Sequence, residues 1–186
     1  WRADGLVMPV SVNVSALQFQ QADFNARVAS VLREHALPGE LLELELTESI
    51  LVHDANEALA RLSQLSELGI RLAIDDFGTG YSSLAYLKRF PIDRLKIDRS
   101  FVKGVPADES DSAIVRAIVQ MAQALSMKVI AEGVETEPQR QFLHDLGCDE
   151  FQGFLYAPAL DAMSFEERVR PAPPRGKRAR LSLVRR

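Results

Sequence analysis

Residues 72–84 read Leu-Ala-Ile-Asp-Asp-Phe-Gly-Thr-Gly-Tyr-Ser-Ser-Leu and place two adjacent carboxylates, Asp75 and Asp76, after an apolar run. The run predicts a buried strand, and Gly78 and Gly80 predict a turn, because glycine adopts positive φ at little cost. Side chains alternate between the faces of a strand, so both aspartates can serve one site only if the strand ends between them. Adjacent anions repel each other, and a divalent cation would relieve that repulsion. The alternative is an Asp-rich turn in which Asp76 caps the next helix.

Outward from this stretch, six segments repeat the order of apolar strand, polar group and helix. The predicted strands cover residues 8–14, 41–46, 72–75, 94–98, 127–131 and 149–151. The predicted helices cover residues 18–35, 54–68, 82–89, 110–125, 137–146 and 164–170. Polar or charged residues stand at the strand ends, namely Asn13, Glu45, Asp75, Lys96, Asp98, Glu132 and Gln152.

This alternation predicts an α/β fold whose parallel strands are joined by right-handed crossovers. Polar residues at the carboxyl ends of the strands favour a (β/α) barrel, which carries its functional groups on that rim. A complete barrel has eight units in about 250 residues, whereas this chain supplies six in about 170. Because the sequence begins at Trp1 and not at methionine, we expect two units to be missing from its front. A doubly wound open sheet is the alternative, although it does not gather these groups around one centre.

The composition is that of one globular domain followed by a basic tail. The chain has 186 residues, 47% of them hydrophobic, and residues 1–170 have enough apolar content for one core. Residues 171–186 contain six basic residues and no acidic one, and we predict that they are disordered. The acidic excess of residues 1–170 favours metal ions over nucleic acid as partners. A single cysteine excludes an internal disulfide and fits the cytoplasm, and no apolar run reaches the roughly 20 residues of a membrane span.

Successive motifs of the chain resemble those of EAL domains, the cyclic di-GMP phosphodiesterases of bacterial signalling proteins. The matching segments are residues 10–15, 45–49, 74–83, 95–98, 130–135 and 152–154. The resemblance runs to about Val169 and implies a modified barrel of the triosephosphate isomerase (TIM) type, which hydrolyses cyclic di-GMP to linear pGpG with Mg²⁺ or Mn²⁺. No predicted strand ends in the Glu-Ala-Leu that names the family, so we expect that strand and the one beside it to be the missing units. The chain by itself is then expected to be poorly folded and inactive.

The resemblance implies a set of metal ligands. Asn13, Glu45 and Asp75 match ligands of a first ion, and Asp75 bridges to a second ion that Asp76 also helps to hold. Carboxylate and amide oxygens are suitable ligands for such hard cations. Two ions about 4 Å apart can activate a water molecule and stabilise both oxygens of an in-line displacement.

The resemblance also implies roles for residues that are not assigned to the first ion. Lys96 matches a lysine that contacts the attacking water or a metal-bound oxygen, and Glu132 matches a general base or second-metal ligand. Asp98 and Gln152 match polar groups at the water and metal site. Two further residues match supporting positions, with Glu48 anchoring the loop of residues 76–83 and Glu135 supporting the metal site indirectly. Glu43, by contrast, is interpreted as a solvated neighbour of Glu45.

Partners follow from the same resemblance. It implies a homodimer formed through Phe77–Leu87 and, in a longer parent protein, an upstream sensor or GGDEF domain with or without a membrane anchor. No nucleic acid polymer is expected. Two alternative functions stay open, a non-catalytic cyclic di-GMP receptor and an unrelated barrel enzyme such as an enolase-like lyase.

Overall fold

The computed structural model describes residues 1–48, 50, 55–79 and 87–170, and its centre is one six-stranded parallel sheet. The strands lie side by side in the order in which they occur in the sequence. Their bounds are β1 Val10–Val14, β2 Leu42–Thr47, β3 Arg71–Phe77, β4 Arg94–Ile97, β5 Lys128–Ala131 and β6 Glu150–Phe151. The predicted parallel α/β fold is therefore confirmed.

Helices connect the strands and cover one face of the sheet. Their bounds are α1 Ala16–Phe19, α2 Phe24–Glu34, α3 Ala55–Glu67, α4 Arg99–Val102, α5 Glu109–Ala124, α6 Glu137–Asp145 and α7 Ala162–Val169, with 3₁₀ turns at Arg2–Asp4 and Gly39–Leu41. The helix predicted at residues 18–35 is in fact two helices, because a capping box between Ser15 and Gln18 starts a short first one. None of the helices in the described part of the chain has the length and apolar character of a membrane-spanning segment.

Some predictions fall on residues that the structure does not describe. These are most of the helix predicted at 82–89, most of the dimer segment Phe77–Leu87, and the tail at 171–186.

Alternation along the strands separates an apolar face of the sheet from a polar one. The apolar face joins one core with the helices and contributes Leu44, Leu46, Leu72, Ile74, Leu95, Ile97, Val129 and Ala131. The opposite face carries the residues that alternate with these, among them Glu43, Glu45, Asp75, Arg94 and Lys96. These charged groups thus share the face of the sheet that the helices do not cover.

The strand that carries the two aspartates does not end between them, so the sequence-based expectation is wrong on this point. β3 continues to Phe77, and its register against β4 shifts between Ile74 and Phe77. Asp76 adopts a left-handed backbone with φ of 52°, which produces this bulge. Since the bulge offsets the alternation, the side chains of Asp75 and Asp76 reach the same site without a break in the strand.

Candidate metal and active site

A buried lysine lies at the centre of the polar rim. Lys96 on β4 is only 3% exposed. Its Nζ lies 2.7 Å from Oε2 of Glu45, 2.9 Å from Oδ1 of Asp75 and 2.7 Å from Oε1 of Glu132. We call Glu45, Asp75 and Glu132 the carboxylate cluster; its members come from β2, from β3 and from the residue after β5. One ammonium faces three carboxylates, so the site keeps an excess of negative charge that favours a divalent cation.

The pKa values of Lys96 and Glu132 are both raised in this site. Burial by itself lowers the pKa of Lys96, but its hydrogen bonds to Glu132, Glu45 and Asp75 outweigh burial and raise the pKa above its ordinary value. Burial raises the pKa of Glu132, and the charges of Asp75 and Glu45 add to this effect while Lys96 opposes it. The two shifts therefore differ in their main cause, which is hydrogen bonding to the carboxylates for Lys96 and burial for Glu132. Lys96 therefore stays charged, and Glu132 accepts a proton more readily than an ordinary glutamate.

A pH-dependent stability follows for the metal-free protein. A carboxyl group whose pKa is raised by folding contributes stability below its unfolded pKa, about 4.3 for glutamate, and that contribution is lost as the pH rises through the folded pKa. In EDTA, we therefore expect the wild type to lose stability relative to Glu132→Gln as the pH rises from about 4 through that window. Thermal melts of both proteins between pH 4 and 8 measure the difference. Glu67→Gln, which changes an exposed carboxyl at the end of α3, is the control; a difference that grows in favour of the wild type with rising pH contradicts the prediction.

Asn13 adds an amide to the carboxylate cluster. Its amide lies beside Oδ2 of Asp75 and Oε2 of Glu45, and the amide nitrogen, when it faces them, donates to these atoms at 3.1 Å and 3.3 Å. Asn13 therefore belongs to the same polar site as two members of the carboxylate cluster. Turned over, the amide presents its oxygen, which is a suitable ligand for a hard cation.

A second group of oxygens lies beside the first. Asp75, Asp76 and Glu132 each offer a ligand atom within 4.8 Å of the others. Burial, followed by the charges of Asp75 and Asp98, raises the pKa of Asp76. Burial also acts to raise the pKa of Asp98, but hydrogen bonds from the hydroxyl and amide of Ser100 outweigh it and lower the pKa. Asp98 is thus a fixed anion that disfavours ionised Asp76 in the absence of a cation.

The strained backbone at Asp76 predicts a measurable cost. A left-handed conformation costs a residue with a Cβ about 1 kcal/mol, and glycine avoids most of that cost. In EDTA we expect Asp76→Gly to be more stable than Asp76→Ala by about 1 kcal/mol, while both bind Mn²⁺ more weakly than the wild type. Urea unfolding and Mn²⁺ titration measure the two quantities, and equal stability of the two variants would show that the backbone at residue 76 is unstrained.

Glu48 forms a hydrogen bond to the loop that follows β3. This residue is 5% exposed, and its Oε2 accepts a hydrogen bond from the backbone N–H of Gly78 at 3.3 Å. Gly78 itself has φ of 99°, which favours glycine. The contact predicted between Glu48 and this loop is therefore present at residue 78; the part of the loop at 80–86 lies outside the described residues.

Two predicted site residues do not join the carboxylate cluster. Gln152 is exposed after β6, and its backbone N–H and C=O bond to Ala131 and Val134. Glu135 is exposed, and its backbone N–H donates to Gln139. Among the described residues, no hydrogen bond or ion pair joins either side chain to Lys96 or its carboxylates.

Residues 57–59 also read Glu-Ala-Leu, but this tripeptide lies inside α3. Glu57 there pairs with Arg61 at 2.7 Å on the protein surface. This glutamate does not correspond to the metal ligand of the family's motif, because it lies in a helix and its side chain is 58% exposed.

A second set of charges that was not predicted from the sequence lies beside the carboxylate cluster, and the interpretation of Glu43 as solvated is wrong. Glu43 is 2% exposed; it accepts a hydrogen bond from Oγ of Ser11 at 2.8 Å and lies 3.0 Å from Nε of Arg94. Nη1 of Arg94 also lies 2.7 Å from Oε2 of Glu150. We call Ser11, Glu43, Arg94 and Glu150 the polar layer. The spacing in the sequence indicates part of this layer. Residues two apart share a strand face, so Glu43 lies on the same face as Glu45, and Arg94 on the same face as Lys96.

Comparison with known proteins places this arrangement in a family. The sequence model of the EAL domain matches residues 1–159. Over 153 residues, the chain is 50% identical to the bifunctional diguanylate cyclase/cyclic di-GMP phosphodiesterase MucR of Pseudomonas aeruginosa, covering 82% of the chain and 22% of MucR. Overall, the chain spans about a fifth of the length of the first curated relatives that it matches.

Solved structures agree in fold. The PaMucR phosphodiesterase in complex with c-di-GMP has a TM-score of 0.82 and 48% identity, over 84% of this chain and 64% of that one. The manganese/cyclic di-GMP complex of BlrP1 from Klebsiella pneumoniae has a TM-score of 0.74 and 30% identity, over 83% of this chain and 40% of that one. The predicted TIM-type barrel architecture is thereby confirmed for the six strands present. With its rim of acids around one lysine and a family match that spans most of its length, the chain belongs to the EAL domain family.

Proposed function

We propose that the chain hydrolyses cyclic di-GMP to linear pGpG at the carboxylate cluster, with two divalent cations, Mg²⁺ or Mn²⁺. The observation that carries this proposal is the convergence of Glu45, Asp75 and Glu132 on Lys96. Two relatives support the substrate and the ion, since the MucR phosphodiesterase was solved with c-di-GMP and BlrP1 with manganese and cyclic di-GMP.

The residues present fit two cations. Asn13, Glu45 and Asp75 would hold one, because the amide of Asn13 lies beside Oδ2 of Asp75 and Oε2 of Glu45. Asp75, Asp76 and Glu132 would hold the other. When bound, such ions lower the pKa of water and offset the charge of a phosphodiester. Asp98, which faces Asp76, and Gln152, exposed at the end of β6, are proposed to line the same site.

Side chains of the protein can accept the proton that water loses and stabilise the negative charge that develops on the phosphate. Glu132, which lies beside Lys96 at the carboxylate cluster, is placed to accept a proton from a water molecule as the oxygen of that water attacks phosphorus. The bond from phosphorus to a ribose oxygen then breaks, and that oxygen takes up a proton from water to give the linear product. Lys96 is held as a cation within 2.7 Å of Glu132, where it can stabilise negative charge developing on the phosphate. Glu48 fixes the loop after Asp76, and Glu135 is proposed to support Glu132 through the chain between them.

The direct test measures pGpG release in Mn²⁺. The 186-residue chain is assayed alone and after grafting in place of the aligned segment of the MucR phosphodiesterase, which supplies the surrounding domain. We expect pGpG from the graft and none from its Asp75→Asn version. A graft that folds and binds cyclic di-GMP without releasing pGpG would overturn the enzyme proposal in favour of the receptor alternative.

Assembly and context are proposals of the same kind. We infer a homodimer through Phe77–Leu87, because Glu48 ties the first part of this segment to the site and would couple pairing to it. Light scattering of the active graft measures this, and a monomer with full activity would reject it. A cytoplasmic location is proposed from the single cysteine, Cys148, which is buried and free. A sensor or GGDEF domain elsewhere in a parent protein stays a prediction.

A further inference from the structure

The loop that carries Glu132 is tightly confined. This β5 loop, residues 132–136, joins β5 to α6. A Cβ at Gly133 would lie 2.6 Å from Cβ of Arg99, and one at Gly153 would lie 2.3 Å from the backbone N of Val134. The loop is thus pressed between the start of α4 on one side and the segment after β6 on the other, and its backbone has little freedom to shift.

One buried amide joins this loop to α4. The side chain of Gln139 is nearly buried, and its Oε1 accepts hydrogen bonds from the N–H groups of Glu135 and Thr136, both at 2.9 Å. Its Nε2 donates to the carbonyls of Val102 at 3.2 Å and Lys103 at 3.3 Å. The amide therefore uses both donors and both acceptor positions that a glutamine offers. It connects the loop after Glu132 to the helix that Asp98 caps.

We propose that Gln139 is a positioning residue for the metal site, which holds Glu132 at its place beside Lys96 and in fixed relation to Asp98. Gln139 reaches neither substrate nor cation; it acts through the backbone of the β5 loop. Glu132 lies three residues before the first N–H that the amide holds, and Gly133 between them is in contact with Arg99. Losing the amide releases this loop from α4 and lets the carboxylate of Glu132 move away from the other ligands. The inference rests on the proposed metal-dependent function.

The test uses the 186-residue chain grafted into the MucR phosphodiesterase, because the chain by itself is expected to fold poorly, and Mn²⁺ alone. Gln139→Met keeps the volume of the side chain and removes all four hydrogen bonds. We expect Mn²⁺ binding, followed by the electron paramagnetic resonance signal of the free ion, to weaken about 10-fold, the lower end of the effect of losing a residue that orients a metal ligand.

Gln123→Met is the matched control. Its amide donates to the carbonyls of Leu146 and Gly147, at 3.4 Å and 3.3 Å, and so joins a helix to a loop at the other end of the sheet. Both variants are expected to melt at a lower temperature in EDTA, but only Gln139→Met should bind Mn²⁺ more weakly. Equal Mn²⁺ binding by the wild type and Gln139→Met would overturn the positioning role, and so would an equal loss in Gln123→Met.

If Gln139→Met does not fold, a second pair of variants tests the same proposal. Gln139→Asn keeps the amide but is one methylene too short to reach both loops, and Gln123→Asn is its control. Weaker Mn²⁺ binding in Gln139→Asn alone supports the proposal, whereas unchanged binding overturns it. A folded wild type that binds no Mn²⁺ would instead overturn the proposed metal-dependent function, so the two failures are distinguishable.

Discussion

Replacing Asp75 by asparagine is expected to abolish Mn²⁺ binding and, in the MucR graft, cyclic di-GMP turnover. Asp75 belongs to both proposed ion positions, because its Oδ2 lies beside the amide of Asn13 and its carboxylate also lies with Asp76 and Glu132. Asparagine has the same shape but lacks the charge. The loss should exceed the roughly 100-fold upper end of what an indirect supporting residue costs. A Mn²⁺ titration and a pGpG assay measure the two effects.

The matched control for this variant is Asp93→Asn. Oδ2 of Asp93 accepts a hydrogen bond from the N–H of Leu72 at 2.9 Å, at the opposite end of β3 from the site. We expect this control to lose stability but to bind Mn²⁺ like the wild type. Turnover near the wild-type rate in Asp75→Asn would remove the metal assignment of the carboxylate cluster.

Among the substitutions proposed for this protein, Lys96→Met should lower the free energy of unfolding most. The loss of stability should be larger without a bound metal ion than with one. In EDTA the variant leaves the carboxylate cluster buried without its cation, which typically costs about 3–5 kcal/mol. Bound Mn²⁺ neutralises the same oxygens, so the metal should raise the melting temperature of this variant more than that of the wild type. Turnover in the graft should fall roughly 10²- to 10³-fold, the usual cost of losing a group that stabilises developing charge, with a smaller change in substrate binding.

Lys128→Met is the control for the lysine experiment, because Lys128 is exposed at the start of β5. It should melt like the wild type in both EDTA and Mn²⁺. A Lys96→Met protein that is as stable as the wild type in EDTA would contradict the view that its ammonium compensates the buried acids. An unchanged kcat in the graft would show that Lys96 has no catalytic role.

The parallel sheet and most of the cluster could be predicted from the sequence, for a simple physical reason. Strands that alternate with helices run parallel, so their carboxyl ends meet on one rim and bring Glu45, Asp75 and Lys96 together. The same rule does not make Gln152 a hydrogen-bond partner of Lys96 or of the carboxylate cluster, because β6 is only two residues long and lies at the edge of the sheet. A rule about strand ends places a backbone position but does not determine where a side chain at the sheet edge points.

Features set by contacts distant in sequence could not be predicted. The left-handed backbone of Asp76 accompanies a shift of register between β3 and β4, and no local residue preference requires it. The four-residue helix α4 gives no periodic signal, although Asp98 caps it through the N–H of Ser100. The alternation within each strand indicates the face on which Glu43 and Arg94 lie, but the pairing between them joins residues 51 positions apart and is not given by either strand alone.

The polar layer also bears on how the chain finds its native pairing during folding. Glu43 and Arg94 lie on β2 and β4, and Arg94 and Glu150 on β4 and β6, so each ion pair spans an intervening strand that the backbone ladder alone does not bridge. A slip of β4 by one residue would turn Arg94 and Lys96 into the apolar core. A slip by two would leave a buried charge without its partner, at a cost of about 3–5 kcal/mol. The stacked charges therefore select one alignment of alternate strands and penalise misregistered sheets before any ligand arrives.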